Sequence, residues 1–185
     1  MNKEIAFDKS FKHSQLFRDV NVKSSNFLAL FIGSFRSAEA IFFEDFKKVT
    51  GLDLVEYDMN DLIFEDEEKT KSRIDSFFSS LPKQSNALII RNADRLNGAF
   101  TGNSISSIRY ATPQEKYFLA SLYRSETIMF LDYSNRANII PAFRRHAHLI
   151  VDFTGSRGIV SRVLGRFNLS LLGGRFDTKT MIITR

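Results

Sequence analysis

Short strand-like segments that alternate with amphipathic stretches constrain this 185-residue chain more than any other feature. The strand-like segments fall at 27–32, 53–57, 86–90, 127–132 and 147–153, and helical spacing fills 37–49, 66–80 and 112–124. In the first helical stretch Ile41, Phe42 and Phe46 lie on one side, with Glu44, Asp45, Lys47 and Lys48 on the other. Gly51 supplies a helix stop, and Thr112-Pro113 followed by Glu115 a helix start. Strands separated by helices require crossover connections, so the pattern predicts an α/β fold: a three-layer sandwich around a mainly parallel five-stranded sheet.

The predicted organisation is an N-terminal arm over 1–26, an α/β core over 27–153, and a short basic C-terminal helix and strand over 154–185. The Gly/Ser/Asn-rich stretch 97–111 reads as a long loop. The 19 phenylalanines read as core, since an amphipathic helix needs large apolar residues on one side. The chain has no cysteine, which excludes disulfides and thiolate metal sites. No apolar run reaches the ~18 residues of a membrane span, and Met1-Asn2-Lys3-Glu4 leads into no apolar leader, so a cytoplasmic protein without membrane contact is expected.

Charge is unevenly placed. From Arg136 to Arg185 there are nine Lys/Arg against two acids, whereas Asp53 to Glu68 holds eight acids and no base. Solvated faces account for both; the sharper alternatives are a basic surface meeting an acidic one on a neighbouring subunit, or nucleic acid.

The first strand runs into Gly33-Ser34-Phe35-Arg36-Ser37-Ala38-Glu39-Ala40, the frame of a phosphate-binding G-x-x-x-x-G-K-[ST] loop without its working residues. The second glycine, the phosphate-binding lysine and the magnesium-binding hydroxyl are replaced by Ala38, Glu39 and Ala40. A carboxylate in the lysine's place would repel a phosphate charge 4 Å away by about 4 kcal/mol at an effective dielectric near 20.

Several further segments line up in order with the AAA+ ATPases. Ala87-Leu88-Ile89-Ile90-Arg91-Asn92-Ala93-Asp94 resembles the Walker B strand of that family, and Thr127 to Arg136 resembles its sensor-1 strand. Asn138-Ile139-Ile140-Pro141-Ala142-Phe143-Arg144-Arg145, followed by His148 to Phe153, resembles the segment that carries the arginine finger and leads into the fifth strand. The resemblance covers 27–153 and implies a P-loop NTPase-like fold. It places Arg91 and Asn92 where the family has its magnesium-holding aspartate and water-activating glutamate, and Asn135 at the sensor-1 position. Arg144 and Arg145 match the trans-acting arginine, and only 32 residues remain for the helical lid.

With lysine, hydroxyl, aspartate and glutamate all replaced, the expected function is that of a catalytically inactive AAA+-like domain, a pseudo-ATPase and not an enzyme. It would serve as a structural or regulatory subunit that binds a protein partner in a homo- or hetero-oligomer, within a larger ATPase or secretion/assembly complex. No metal or cofactor is expected. The degenerate nucleotide site comprises Gly33, Arg36, Glu39, Arg91, Asn92 and Asn135, with Arg91 expected to pair with Glu39 or another acid. Arg144 and Arg145 are the candidate interaction residues. One alternative is a clamp-loader-like module that binds nucleic acid through the basic patch Arg157, Arg162 and Arg166. Another is a divergent ATP-binding enzyme that uses Arg36 and Asn92. Asp94 reads as a cap, and His146 and His148, alternating along the predicted fifth strand, read as structural.

Overall fold

The computed structural model describes residues 3–8, 16–17, 26–81, 86–97, 112–156, 175–176 and 183–184. Six strands form one sheet: β1 (Lys3–Ala6), β2 (Leu28–Ile32), β3 (Asp53–Asp58), β4 (Asn86–Arg91), β5 (Met129–Tyr133) and β6 (Leu149–Asp152). The helices are α1 (Arg36–Thr50), α2 (Glu67–Ser80), α3 (Pro113–Arg124) and α4 (Pro141–His146). The strand order is β1-β6-β2-β5-β4-β3, and every pairing within it is parallel.

The expected α/β sandwich is therefore present, with six strands in place of five. The added one is β1: residues 3–6, expected as part of an N-terminal arm over 1–26, pair with β6, while most of 1–26 lies outside the described residues. Its Lys3-Glu4-Ile5-Ala6 sequence is too polar to stand out as a strand, because it lies at an edge with only Ile5 partly covered. A further pair, Arg175–Phe176 with Ile183–Thr184, is antiparallel. The basic helix expected over 157–166 lies outside the described residues, as does the loop 97–111 apart from Asn97.

Alternation along the strands decides the two layers. Leu28, Leu30 and Ile32 of β2, with Leu88 and Ile90 of β4 and Met129, Leu131 and Tyr133 of β5, face Ile74, Phe77, Phe118, Leu122 and Phe143 from α2, α3 and α4. The intervening residues Phe27, Ala29, Phe31, Ala87, Ile89 and Phe130 face Ala38, Phe42 and Phe46 of α1, together with Leu16 and Phe17. This second layer is built of phenylalanine: the Phe42 ring meets Phe17 at 4.9 Å and Phe31 at 5.1 Å, edge to face.

The chain's path explains why α1 covers one face and α2, α3 and α4 cover the other. Parallel crossovers are right-handed, so connections that travel in opposite directions along the sheet pack on opposite faces. From β2 the chain moves outward to β3 through α1; it then returns through α2, α3 and α4 to β4, β5 and β6. At the neighbouring strands β2 and β5 the connections therefore part to opposite faces. In open α/β sheets the crevice beyond the strand ends at such a parting is the usual place for a ligand.

Helix ends follow the expected local chemistry. Gly51 adopts φ 73° and donates its N–H to Lys47 O at 2.8 Å, stopping α1. Thr112 Oγ1 accepts from Glu115 N–H at 3.2 Å while Glu115 Oε2 accepts from Thr112 N–H at 2.7 Å, a reciprocal capping box that starts α3.

Candidate functional site

The crevice where β2 and β5 part is closed by an ion-pair cluster. Glu56, Arg91 and Asp132 stand on β3, β4 and β5 with the parity of the α1-facing residues, so all three project to the side that α1 covers. Glu39, the fourth residue of α1, reaches the same spot. Arg91 Nη1 and Nη2 donate to Glu39 Oε1 and Oε2 at 2.5 and 2.8 Å, a bidentate pair. The same guanidinium donates to Glu56 Oε2 at 3.0 Å and Asp132 Oδ2 at 3.2 Å, and Ser34 Oγ donates to Asp132 Oδ1 at 2.6 Å.

Glu39 is buried, with 4% of its surface exposed, so its charge depends on Arg91 for compensation. Burial works against the charged guanidinium, but hydrogen bonds to Glu39 and Glu56 and the field of Glu39 and Asp132 outweigh it and raise the Arg91 pKa further. Asp132 is pushed up from the usual carboxylate range, first by burial and then by the Glu39 charge, against the opposing Ser34 hydroxyl and Arg91. One cation thus faces three carboxylates, and the crevice is electrostatically unfavourable to an anion.

The backbone of the loop is engaged too. Gly33 takes φ 59°, a left-handed conformation that glycine adopts without strain, and donates its N–H to Tyr133 O at 2.8 Å. Only Gly33, Ser34 and Phe35 separate β2 from α1. The N–H groups of Ala38 and Glu39 both bond to Phe35 O, at 3.0 and 3.1 Å, so they belong to the helix and do not line an anion cradle.

The other sequence-predicted residues separate into distinct places. Arg36 is exposed at the start of α1 and makes no ion pair with a described residue. Asn92 holds φ 55° and donates its side-chain amide to Asp58 Oδ2 at 2.7 Å, tying the end of β4 to that of β3. Asn135 caps the single turn Arg136–Asn138 by accepting from Ala137 N–H at 3.0 Å. Asp94 accepts from Ser134 N–H and from Asn138 Nδ2, both at 2.8 Å, and so links the loops that follow β4 and β5.

Arg144 and Arg145 are exposed on α4. Arg144 Nη2 donates to Glu4 Oε2 of β1 at 3.3 Å, and Arg136 binds the same Glu4 and also Asp152 Oδ2 at 2.9 Å. Arg157, Arg162 and Arg166 lie outside the described residues. The two histidines do not share a strand: His146 ends α4 and stacks edge-on with Tyr123, whereas His148 precedes β6. Among the described residues no group of three or more His, Asp or Glu is arranged to hold a metal, and no helix is long and apolar enough to cross a membrane.

The sequence pointed to Glu39 and Arg91, which meet here, and to Gly33 in the adjoining loop, but not to Ser34, Glu56 and Asp132 as their partners. A carboxylate inside the apolar run Met129-Phe130-Leu131-Asp132-Tyr133 was the available signal, since such a residue needs a buried partner.

No family model matches this sequence, and no curated protein matches it. Among solved structures, a chain of the E. coli MS115-1 HORMA:CdnC:Trip13 complex is similar at 13% identity, with a TM-score of 0.46. The similarity covers 89% of this chain and 60% of that chain, so this chain spans less than two thirds of that chain's length.

Proposed function

We propose that this chain is an AAA+-like α/β domain that neither hydrolyses nor binds ATP and works as a structural or regulatory subunit through protein contacts. The observation that carries the reading is the Glu39–Arg91 pair. In the resemblance drawn from sequence, the helix after the loop supplies a cation and the strand at Arg91 a carboxylate, with nucleotide and magnesium between them. Here the signs are exchanged, and the two side chains meet directly at 2.5 and 2.8 Å. An internal ion pair thereby links α1 to the sheet where a nucleotide would otherwise do so. Three carboxylates around one guanidinium oppose a triphosphate, and Asn92, bonded to Asp58, has no basic group to activate water.

What remains for function is a surface. Arg145 is exposed on α4 beside Arg144, with no ion pair to a described residue, and suits contact with an acidic partner. A phosphate-release assay on the full chain with magnesium and ATP tests the reading. Release no faster than the buffer blank is expected. Turnover that disappears in Arg36→Ala and Asn92→Ala would instead establish the divergent enzyme.

A further inference from the structure

The two edges of the sheet are built differently. Strand β1 ends it on one side with four residues, of which only Ile5 is partly covered. Strand β3 ends it on the other with six, Asp53-Leu54-Val55-Glu56-Tyr57-Asp58, and its apolar residues Leu54, Val55 and Tyr57 are only partly buried. Among the described residues β3 pairs with β4 alone, and Asp53 to Asp58 make no backbone hydrogen bond beyond that ladder. A strand bonded on one side turns alternate N–H and C=O groups outward, which is a template for a further strand.

Parity decides what such a strand would carry. Leu54, Glu56 and Asp58 share the parity of the α1-facing residues, whereas Val55 and Tyr57 pack on the α2 side, where Tyr57 meets the Phe77 ring at 4.9 Å. Glu56 shares Arg91 with Glu39 and Asp132 and keeps 52% of its side chain exposed. Asp58 accepts from Asn60 and Asn92, which carry no charge. Neighbours across the edge are therefore favoured when basic beside Glu56 and Asp58 and apolar beside Val55 and Tyr57. The same acids oppose a second copy. Pairing two β3 strands antiparallel over all six residues sets Asp53 against Asp58 at both ends, and like charges directly opposite destabilise a sheet.

We infer that the β3 edge is a strand-addition site, at which an extended segment of a partner protein, with lysine or arginine alternating with apolar residues, pairs with Asp53–Asp58. Main-chain bonds supply the affinity and the alternation supplies the specificity. The inference goes beyond the reading above, since it holds whether or not the crevice takes a nucleotide.

Hydrogen exchange on the full, unaltered chain tests it, with a capped peptide of alternating lysine and valine as the probe. At about 1 mM peptide, roughly ten times a Kd of about 100 µM, exchange of the outward-facing amides within 53–58 is expected to slow about tenfold, and the effect to weaken as salt is raised. Two controls separate backbone pairing from charge alone: the peptide with glutamate in place of lysine, and the lysine peptide N-methylated along its backbone. Each is expected to leave 53–58 unprotected. No slowing with the lysine peptide, or equal slowing with either control, overturns the inference. So does slowing that rises with protein concentration in the absence of peptide, which would assign the edge to a second copy.

Discussion

Arg91 carries more of the local electrostatics than any other residue, because its guanidinium is the cation shared by Glu39, Glu56 and Asp132. Replacing it with methionine keeps much of the volume but leaves buried Glu39 uncompensated, and loss of one partner of a buried pair costs about 3–5 kcal/mol. Urea unfolding of Arg91→Met is expected to show a loss of that size. Asp132→Asn is expected to change stability by less than about 1 kcal/mol, since it removes one of three acids around one cation and keeps an acceptor for Ser34. His148 gives a pH dependence. Its Nδ1 accepts from Leu28 N–H at 3.1 Å, its ring stacks on Phe27, and burial lowers its pKa below the usual 6.5. The native state then binds fewer protons than the unfolded state near that value. His148 therefore contributes its stability fully above pH 6.5, and the contribution is lost as pH falls through the lowered folded value. Urea midpoints at pH 7.5 and 5.5 check it; the acid-side loss is expected to shrink in His148→Gln.

The helices show how far local sequence reaches. The Gly51 stop and the Thr112/Glu115 start were legible because each depends on a few adjacent residues, and Thr112→Ala is expected to cost about 1 kcal/mol in thermal unfolding. The four interior strands β2, β4, β5 and β6 were legible because both faces are covered and their residues are apolar, and the edge strand β3 was legible from Leu54, Val55 and Tyr57. Strand β1 was not, since it is an edge strand of four residues with only Ile5 partly covered, and its partner β6 lies more than 140 residues away. The ion-pair cluster was legible only in part. Charge pointed to Glu39 and Arg91, but the convergence of Glu56 and Asp132 depends on strand order and parity, which are properties of the assembled sheet. Helix α1 is held by the phenylalanine layer more than by its ends: Phe42 contacts rings from β2, β5 and the chain after β6. Phe42→Ala is expected to lower stability by about 3–5 kcal/mol.

At the scale of the molecule, one reversal of chain direction along the sheet creates the parting between β2 and β5, and the sequence fills that place with its own charges. The fold thus retains the geometry in which α/β proteins bind ligands, while the chemistry there is turned inward to hold α1 on the sheet. The most direct measurement is titration calorimetry of the full chain with ATP and with ADP, each with magnesium, at concentrations that reveal a Kd of about 100 µM. The account requires no heat of binding from either nucleotide. Saturable binding that is abolished by Arg36→Ala would contradict it, since the phosphates would then be held beside Glu39 and not excluded by it.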